Sequence, residues 1–307
     1  MIKKSMSLAW LAFSLGCSSQ DGTPHVSQGN IKFIPSFPSQ LIDPRPIAIW
    51  KSPNFEDNKE HITLYLHDGQ MLFDGNITWN HQEWNIDEHL AQLSEENPSL
   101  SFLVVGIYNN GSKRHAEYFP QKPFEQLSRS FQDSLYTHTQ RQPQQALFSA
   151  KIYSDRYLTF ITQELKPYVE ENYGASSLMN TWIGGASMGG LISWYALHEY
   201  PNEFGAALCF STHWPGVWPK DDPSQKVFHQ FISYQWKHPF SPSQKCYFDH
   251  GDLTLDQYYA PYQAKMNAAL TQQKVHYQSL IFPGTDHSEK SWSSHFLGAV
   301  RWLLSLE

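Results

Sequence analysis

Gly185-Ala186-Ser187-Met188-Gly189 places a serine between glycines two positions before and two after it. That is the spacing of a sharp strand-to-helix turn that pushes a hydroxyl out of the backbone, strains the serine's own dihedrals and leaves little room beside it. A serine hydroxyl is a weak nucleophile at neutral pH, so chemistry at Ser187 needs a base, and an acid to orient that base, following in the order serine, acid, histidine. His287 suits the base, because the apolar run Tyr277 to Phe282 leads into Pro283-Gly284-Thr285-Asp286-His287 just before a C-terminal helical pattern. The acid has two candidates after Cys246-Tyr247-Phe248-Asp249-His250-Gly251, namely Asp252 and Asp256. Either could instead cap a turn or a helix, and reach along the chain leaves both open. Charge developing on an attacked carbonyl oxygen needs two backbone N–H donors. Met188 offers one, and Gln70, in the loop His67-Asp68-Gly69-Gln70-Met71, is the candidate for the other.

These residues need a scaffold, and the chain offers one. Short apolar runs at 47–50, 61–66, 102–107, 181–184, 206–210, 246–249 and 277–282 alternate, in the later part, with helical patterns at 155–172, 189–200, 256–273 and 291–306. Strand and helix in turn predict an α/β fold with a mostly parallel sheet covered on both faces. The first two runs have no helix between them and are expected to form an antiparallel edge. One domain is expected over 31–307, with insertions around 111–150 and 214–244 lying near the C-terminal edge of the sheet. His213, Trp214 and Trp218 follow one strand, and Tyr108, Asn109 and Arg114 follow another, so both groups are expected on the active side. There His213, Trp214, Tyr108 and Arg114 are candidates for substrate contact.

Composition narrows the function classes. In 307 residues, 15% aromatic content excludes a disordered chain. The 22 Lys+Arg against 29 Asp+Glu give a net charge of -7 without a basic run, which argues against a nucleic-acid partner. Lys3 and Lys4 precede an apolar stretch at 6–15 that is too short to span a bilayer but suits an export signal. Cys17 after Ser14-Leu15-Gly16 is similar to the acylated cysteine of bacterial lipoproteins, an ordinary cleaved signal peptide being the alternative. The expected organisation is a signal at 1–17 and a polar tether at 18–30. The expected location is the periplasm or outer membrane of a bacterium, with membrane contact only through a lipid on Cys17. Cys209 and Cys246 lie in strand-like runs and read as small core residues, and spacing does not decide whether they form a disulfide. No HExxH or paired-cysteine spacing occurs, so no metal is expected.

The quoted segments resemble the putative esterase family of the α/β-hydrolase superfamily, which includes esterase D-like enzymes, enterochelin esterases, and feruloyl and acetyl-xylan esterases. The resemblance rests on Tyr65-Leu66-His67-Asp68-Gly69-Gln70-Met71-Leu72-Phe73-Asp74, Val104-Val105-Gly106-Ile107 and Glu164-Leu165-Lys166-Pro167. It continues through Gly185-Ala186-Ser187-Met188-Gly189-Gly190-Leu191, Ser211-Thr212-His213-Trp214, and Gly284 with His287 and Trp292, spanning roughly 31–305. It implies an α/β-hydrolase fold with an eight-stranded, mostly parallel sheet and an antiparallel N-terminal edge. It also implies hydrolysis of a small or glycan- or siderophore-linked carboxylic ester by a Ser-Asp-His triad through an acyl-enzyme, without a cofactor. The family's acid stands a short loop before the next helix, which implies Asp256 rather than Asp252. Two rival readings remain: an acyltransferase of the same fold, similar to mycolyltransferases, and an envelope lipoprotein that binds its ligand without turnover.

Overall fold

The computed structural model describes residues 22–306; the export-signal stretch and Cys17 lie outside the described residues. The first part of the chain runs β1 (Asn30–Phe37), β2 (Arg45–Lys51), β3 (Ile62–His67), α1 (Ile86–Glu96) and β4 (Phe102–Ile107). A middle stretch follows, with α2 (Arg114–Tyr118), α3 (Gln121–Glu125), α4 (Arg129–His138), the hairpin β5 (Gln140–Gln142) and β6 (Gln145–Ala146), α5 (Ser154–Phe160) and α6 (Lys166–Tyr173). The last part is β7 (Thr181–Ala186), α7 (Met188–Glu199), β8 (Ala206–Phe210), α8 (Lys226–Lys237), β9 (Lys245–His250), α9 (Ala260–Gln272), β10 (His276–Ile281) and α10 (Glu289–Leu304).

Eight strands form one sheet in the order β1-β2-β4-β3-β7-β8-β9-β10. From β4 to β10 every neighbouring pair is parallel, whereas β1 with β2 and β2 with β4 are antiparallel. The expected α/β-hydrolase sheet with an antiparallel N-terminal edge is therefore present, but its edge pair differs. The runs at 47–50 and 61–66 are not neighbours: β2 pairs with β4, β3 lies on the other side of β4, and the outer edge strand is Asn30–Phe37. The central strands are buried end to end, as strands covered on both faces must be.

Alternation along each strand sorts the core into two layers. On one face Tyr65, Val105, Ile183 and Phe248 pack with Leu158, Leu191 and Trp194. On the other face Leu64, Val104, Leu208 and Phe210 pack with Leu90 of α1 and Phe296 and Val300 of α10. Burying a Leu or Phe side chain of this kind contributes roughly 1.5–3 kcal/mol, which makes these layers the main support of the loops above them. Cys209 and Cys246 are buried free thiols, their sulfurs 4.0 Å apart.

Residues 22–29 do not behave as the tether expected from their polarity. His25 N donates to Asp74 Oδ2 at 2.9 Å, Ser27 N to Asp87 Oδ2 at 2.7 Å, and Trp50 Nε1 to Gln28 O at 2.8 Å. Backbone polar groups that meet fixed acceptors this way are held on the body. Among the described residues no helix is long and apolar enough to cross a membrane.

One buried ion pair links β2 to α2. Arg45 donates from Nη1 and Nη2 to the two oxygens of Glu117 at 3.0 and 2.6 Å, Tyr153 OH adds a bond at 2.9 Å, and the guanidinium lies over Tyr157. Both side chains are almost fully shielded, at 2% and 0% exposure. Removing one partner would leave a buried charge without compensation, so Glu117→Ala is expected to cost about 3–5 kcal/mol in denaturant unfolding. A loss below about 1 kcal/mol would show that the pair contributes little to holding α2.

Candidate active site

The serine turn begins where β7 runs out. Ser187 follows the last strand residue, Ala186, and directly precedes α7, with φ 59° and ψ -119°, a region that a residue with a side chain adopts only under constraint. Three backbone bonds impose it: Ser187 N donates to Phe210 O at 2.9 Å, and Ser187 O accepts from Leu191 N and His213 N at 3.1 Å. Gly185 is needed for contact, since a Cβ there would lie 3.1 Å from the Gly189 backbone and from His67 Cβ. Gly189 is roomier, with its nearest neighbour 3.4 Å from a built Cβ. The hydroxyl thus stands at the N-terminus of a twelve-residue helix, where unpaired N–H groups and the helix dipole favour negative charge.

His287 stands on the loop between β10 and α10, and its Nδ1 lies 2.6 Å from Asp256 Oδ1. Asp256 comes from the helical turn after β9; its Oδ2 accepts from Ser211 Oγ at 2.6 Å and from Gly251 N at 2.7 Å. Ser211 Oγ in turn accepts from Trp292 Nε1 at 2.9 Å. Burial alone would raise the Asp256 carboxyl, but the bonds from His287, Ser211 and Gly251 outweigh it and hold the group below the usual carboxylate range. The imidazole is further framed edge-on by Trp292 at 5.0 Å and by Tyr259 at 5.8 Å. Asp252 is not placed beside the histidine. It is exposed, accepts from Gly284 N at 2.7 Å, and so pins the loop that carries His287.

Across the cleft, Gln70 sits in a single helical turn, Gly69–Met71, entered through Asp68 in the left-handed region at φ 58°. Gly69 must be glycine, because a Cβ would fall 2.5 Å from the Gly106 backbone of β4. This close approach brings Gln70 to the cleft that Ser187 lines, and its side-chain oxygen accepts from Asn109 N at 3.3 Å. Arg114 is expected at the rim, and there it is paired: Nε and Nη2 donate to the two oxygens of Asp68 at 2.7 and 2.6 Å, while Asn109 Nδ2 donates to Asp68 Oδ1 at 2.7 Å.

Two hollows meet at Ser187. The wide one, about 520 Å³, contains Gln70, His287, Trp292, Trp84, Asn80 and Glu289 among its walls. The narrow one, about 120 Å³, is walled by Met188, His213, Trp218, Leu147, Leu255 and Arg114. His213 therefore reaches the site, its Nδ1 2.8 Å from Tyr259 OH, and burial keeps its ring neutral. Two other rim candidates do not reach it. Trp214 is fully buried in the core beside Trp194 and donates to Gln263 Oε1 at 2.7 Å, because the chain turns inward after His213. Tyr108 faces Phe33, 5.7 Å between rings, and its hydroxyl is pushed up to about 12 by burial and the nearby Asp74.

Four contributors escaped the sequence reading: Ser211, Tyr259, Arg141 and Asp68. Ser211 lies just past β8 with a positive φ of 41°, a strand-end feature that could have flagged it, and Tyr259 lies within hydrogen-bond reach of the Ser187 hydroxyl. Arg141 stands on the β5–β6 hairpin inside the Gln-rich insertion, where no pattern points to it.

Comparison with known proteins gives a family and a shared fold. The profile of the family described as Putative esterase matches residues 40–303. In sequence, the chain is 28% identical over 163 residues to the Bacillus subtilis protein YbbA, itself described as uncharacterized, and spans about half of each protein, 52% of this chain and 54% of YbbA. In fold, an IroE-like serine hydrolase from Shewanella oneidensis is similar with a TM-score of 0.61 at 17% identity, covering 91% of this chain and 80% of that one. An enterochelin esterase from Shigella flexneri gives a TM-score of 0.62 at 17% identity, covering 92% of this chain and 60% of that one.

Proposed function

Because the chain belongs to the Putative esterase family, with the α/β-hydrolase fold, we propose that it is a serine carboxylic-ester hydrolase working through Ser187, His287 and Asp256. The observation that carries this reading is the 2.6 Å bond from His287 to Asp256 in the cleft that the strained Ser187 also lines. With Nδ1–H directed at the carboxylate, His287 presents the unprotonated Nε2 toward the cleft. Ser187 turns its hydroxyl to that nitrogen, gives up its proton and attacks the ester carbonyl, forming the Oγ–C bond. The carbonyl oxygen takes the negative charge, which the N–H groups of Met188 and Gln70 stabilise. The C–O bond to the alcohol breaks as imidazolium His287 protonates the departing oxygen. Water, deprotonated by the same nitrogen, then hydrolyses the acyl-enzyme, releasing the acid and restoring Ser187.

The proton donor fixes the orientation of the substrate. His287 borders the wide hollow and not the narrow one, so the alcohol portion occupies the first and the acyl group the second. A narrow hollow of about 120 Å³ admits a slender acyl chain, and the wide hollow of about 520 Å³ accommodates a larger alcohol. The basic and then apolar start at Lys3 to Leu15 supports export to a bacterial envelope.

The test is turnover of 4-nitrophenyl acetate and butyrate together with intact-mass analysis after a fluorophosphonate. Hydrolysis is expected, along with a single covalent adduct on the peptide containing Ser187. Absence of both would overturn the esterase reading and favour binding without turnover. Transfer of the acyl group to added polyols in preference to water would favour the acyltransferase.

A further inference from the structure

Beyond the narrow hollow lies a third, of about 530 Å³, formed by Gln140, Arg141, Pro143, Trp218, Lys220 and Tyr258. It shares Arg141 and Trp218 with the narrow hollow, so the two adjoin at these side chains, and Lys220 stands in the wall of the outer one. The passage is structured: Trp218 Nε1 donates to Gln140 O at 2.8 Å, which straps the β5–β6 hairpin over the hollow. Pro143, Pro219, Trp218 and the half-exposed Tyr258 provide an apolar floor for methylene groups.

The charges along this path are unbalanced. Arg114 is neutralised by its two bonds to Asp68. Arg141 and Lys220 take part in none of the ion pairs among the described residues. On the opposite side, in the wide hollow, stands the carboxylate of Glu289. Arg141 borders the wide hollow as well, where Glu289 offsets it, whereas neither the narrow nor the third hollow has a carboxylate in its wall; positive charge is therefore least balanced on the acyl side, where a planar guanidinium fork can take a carboxylate in two parallel bonds.

We propose that Arg141, assisted by Lys220, selects esters whose acyl group ends in a carboxylate, that is, half-esters of dicarboxylic acids. The proposal rests on the esterase reading and on its assignment of the narrow hollow to the acyl group. Arg141 acts here as a specificity residue that touches substrate remote from the reacting bond, so its effect falls mainly on KM.

Mono-4-nitrophenyl adipate and 4-nitrophenyl hexanoate have the same chain length and differ in the terminal carboxylate, so their kcat/KM ratio reads the selection directly. With the rate of a Ser187→Ala sample subtracted, the wild type is expected to prefer the adipate by about tenfold or more at low salt, consistent with one exposed charge-assisted contact. Arg141→Gln with Lys220→Gln should bring the ratio close to one, Arg141→Lys should retain part of it, and about 0.5 M salt should reduce it in the wild type. A wild-type ratio of one or less, with the hexanoate still hydrolysed, would overturn the proposal alone. A preference that survives Arg141→Gln with Lys220→Gln would do the same. Failure of the wild type to hydrolyse either ester, with 4-nitrophenyl acetate still hydrolysed, would overturn the proposal alone; loss of acetate turnover and of the fluorophosphonate adduct as well would overturn the esterase reading with it.

Discussion

Replacing Ser187 with Ala is expected to lower kcat for any accepted ester by about a millionfold, because on the proposed mechanism the atom that forms the acyl-enzyme is lost and the groups around it act as a unit. Stability should change by less than about 1 kcal/mol, since the hydroxyl borders an open cleft and the backbone bonds that fix the turn do not involve it. Ser187→Gly separates chemistry from strain. It should be equally inactive, yet more stable than Ser187→Ala by about 1 kcal/mol, because glycine accepts φ 59° and ψ -119° without the penalty of about 1–3 kcal/mol borne by a residue with a Cβ. Thermal melts of both variants check this. If the glycine variant melts below the alanine variant, the turn is not strained as the dihedrals indicate.

The second large effect belongs to the acid. Asp256→Asn should lower kcat by about 10⁴, the size of loss expected when a carboxylate that selects the imidazole tautomer becomes an amide. The reason is local. Asp256 receives donors on both oxygens, His287 on one and Ser211 and Gly251 on the other. An amide offers one oxygen only, so its NH₂ must face either His287 or the Ser211 and Gly251 pair. Asp252→Asn, by contrast, alters an exposed contact to Gly284 N and should leave kcat within about threefold. Steady-state kinetics on the same ester with both variants checks the pair of expectations, and equal losses would show that Asp256 does not orient the base.

The strands most readable in the sequence were those with most burial. Phe102 to Ile107 and Ala206 to Phe210 are unbroken apolar runs because helices cover both faces of the sheet there. Asn30–Phe37 escaped notice because an edge strand faces solvent and carries a proline, so neither alternation nor a continuous run marks it. Neighbour relations were less visible still, since periodicity identifies strands without saying which pair; β2 beside β4 is a long-range choice made by the packing of the two layers. At the site, Ser187 and His287 lie where turn chemistry and strand ends direct attention. Trp214 and Tyr108 share that position along the chain, yet the direction of one side chain after a strand end depends on the local turn and not on residue type. Arg141 lies in a Gln-rich segment tied to the site by a contact distant in sequence, the Trp218 bond to Gln140 O.

The sequence of donors from Trp292 through Ser211 to Asp256 has a fixed direction. The indole can only donate, so Ser211 must accept from it and has its single proton left for the carboxylate. A proton arriving on Asp256 would therefore face donors in His287, Ser211 and Gly251, and neither the Gly251 N–H nor the indole behind Ser211 can turn round to accept one. The folded carboxyl is accordingly harder to protonate than the same group in the unfolded chain; its contribution to stability is complete above the unfolded value and fades only as the pH drops through the lower folded one. The Asp256 carboxylate thus keeps its charge, and its hold on His287, in media sour enough to neutralise ordinary surface carboxylates.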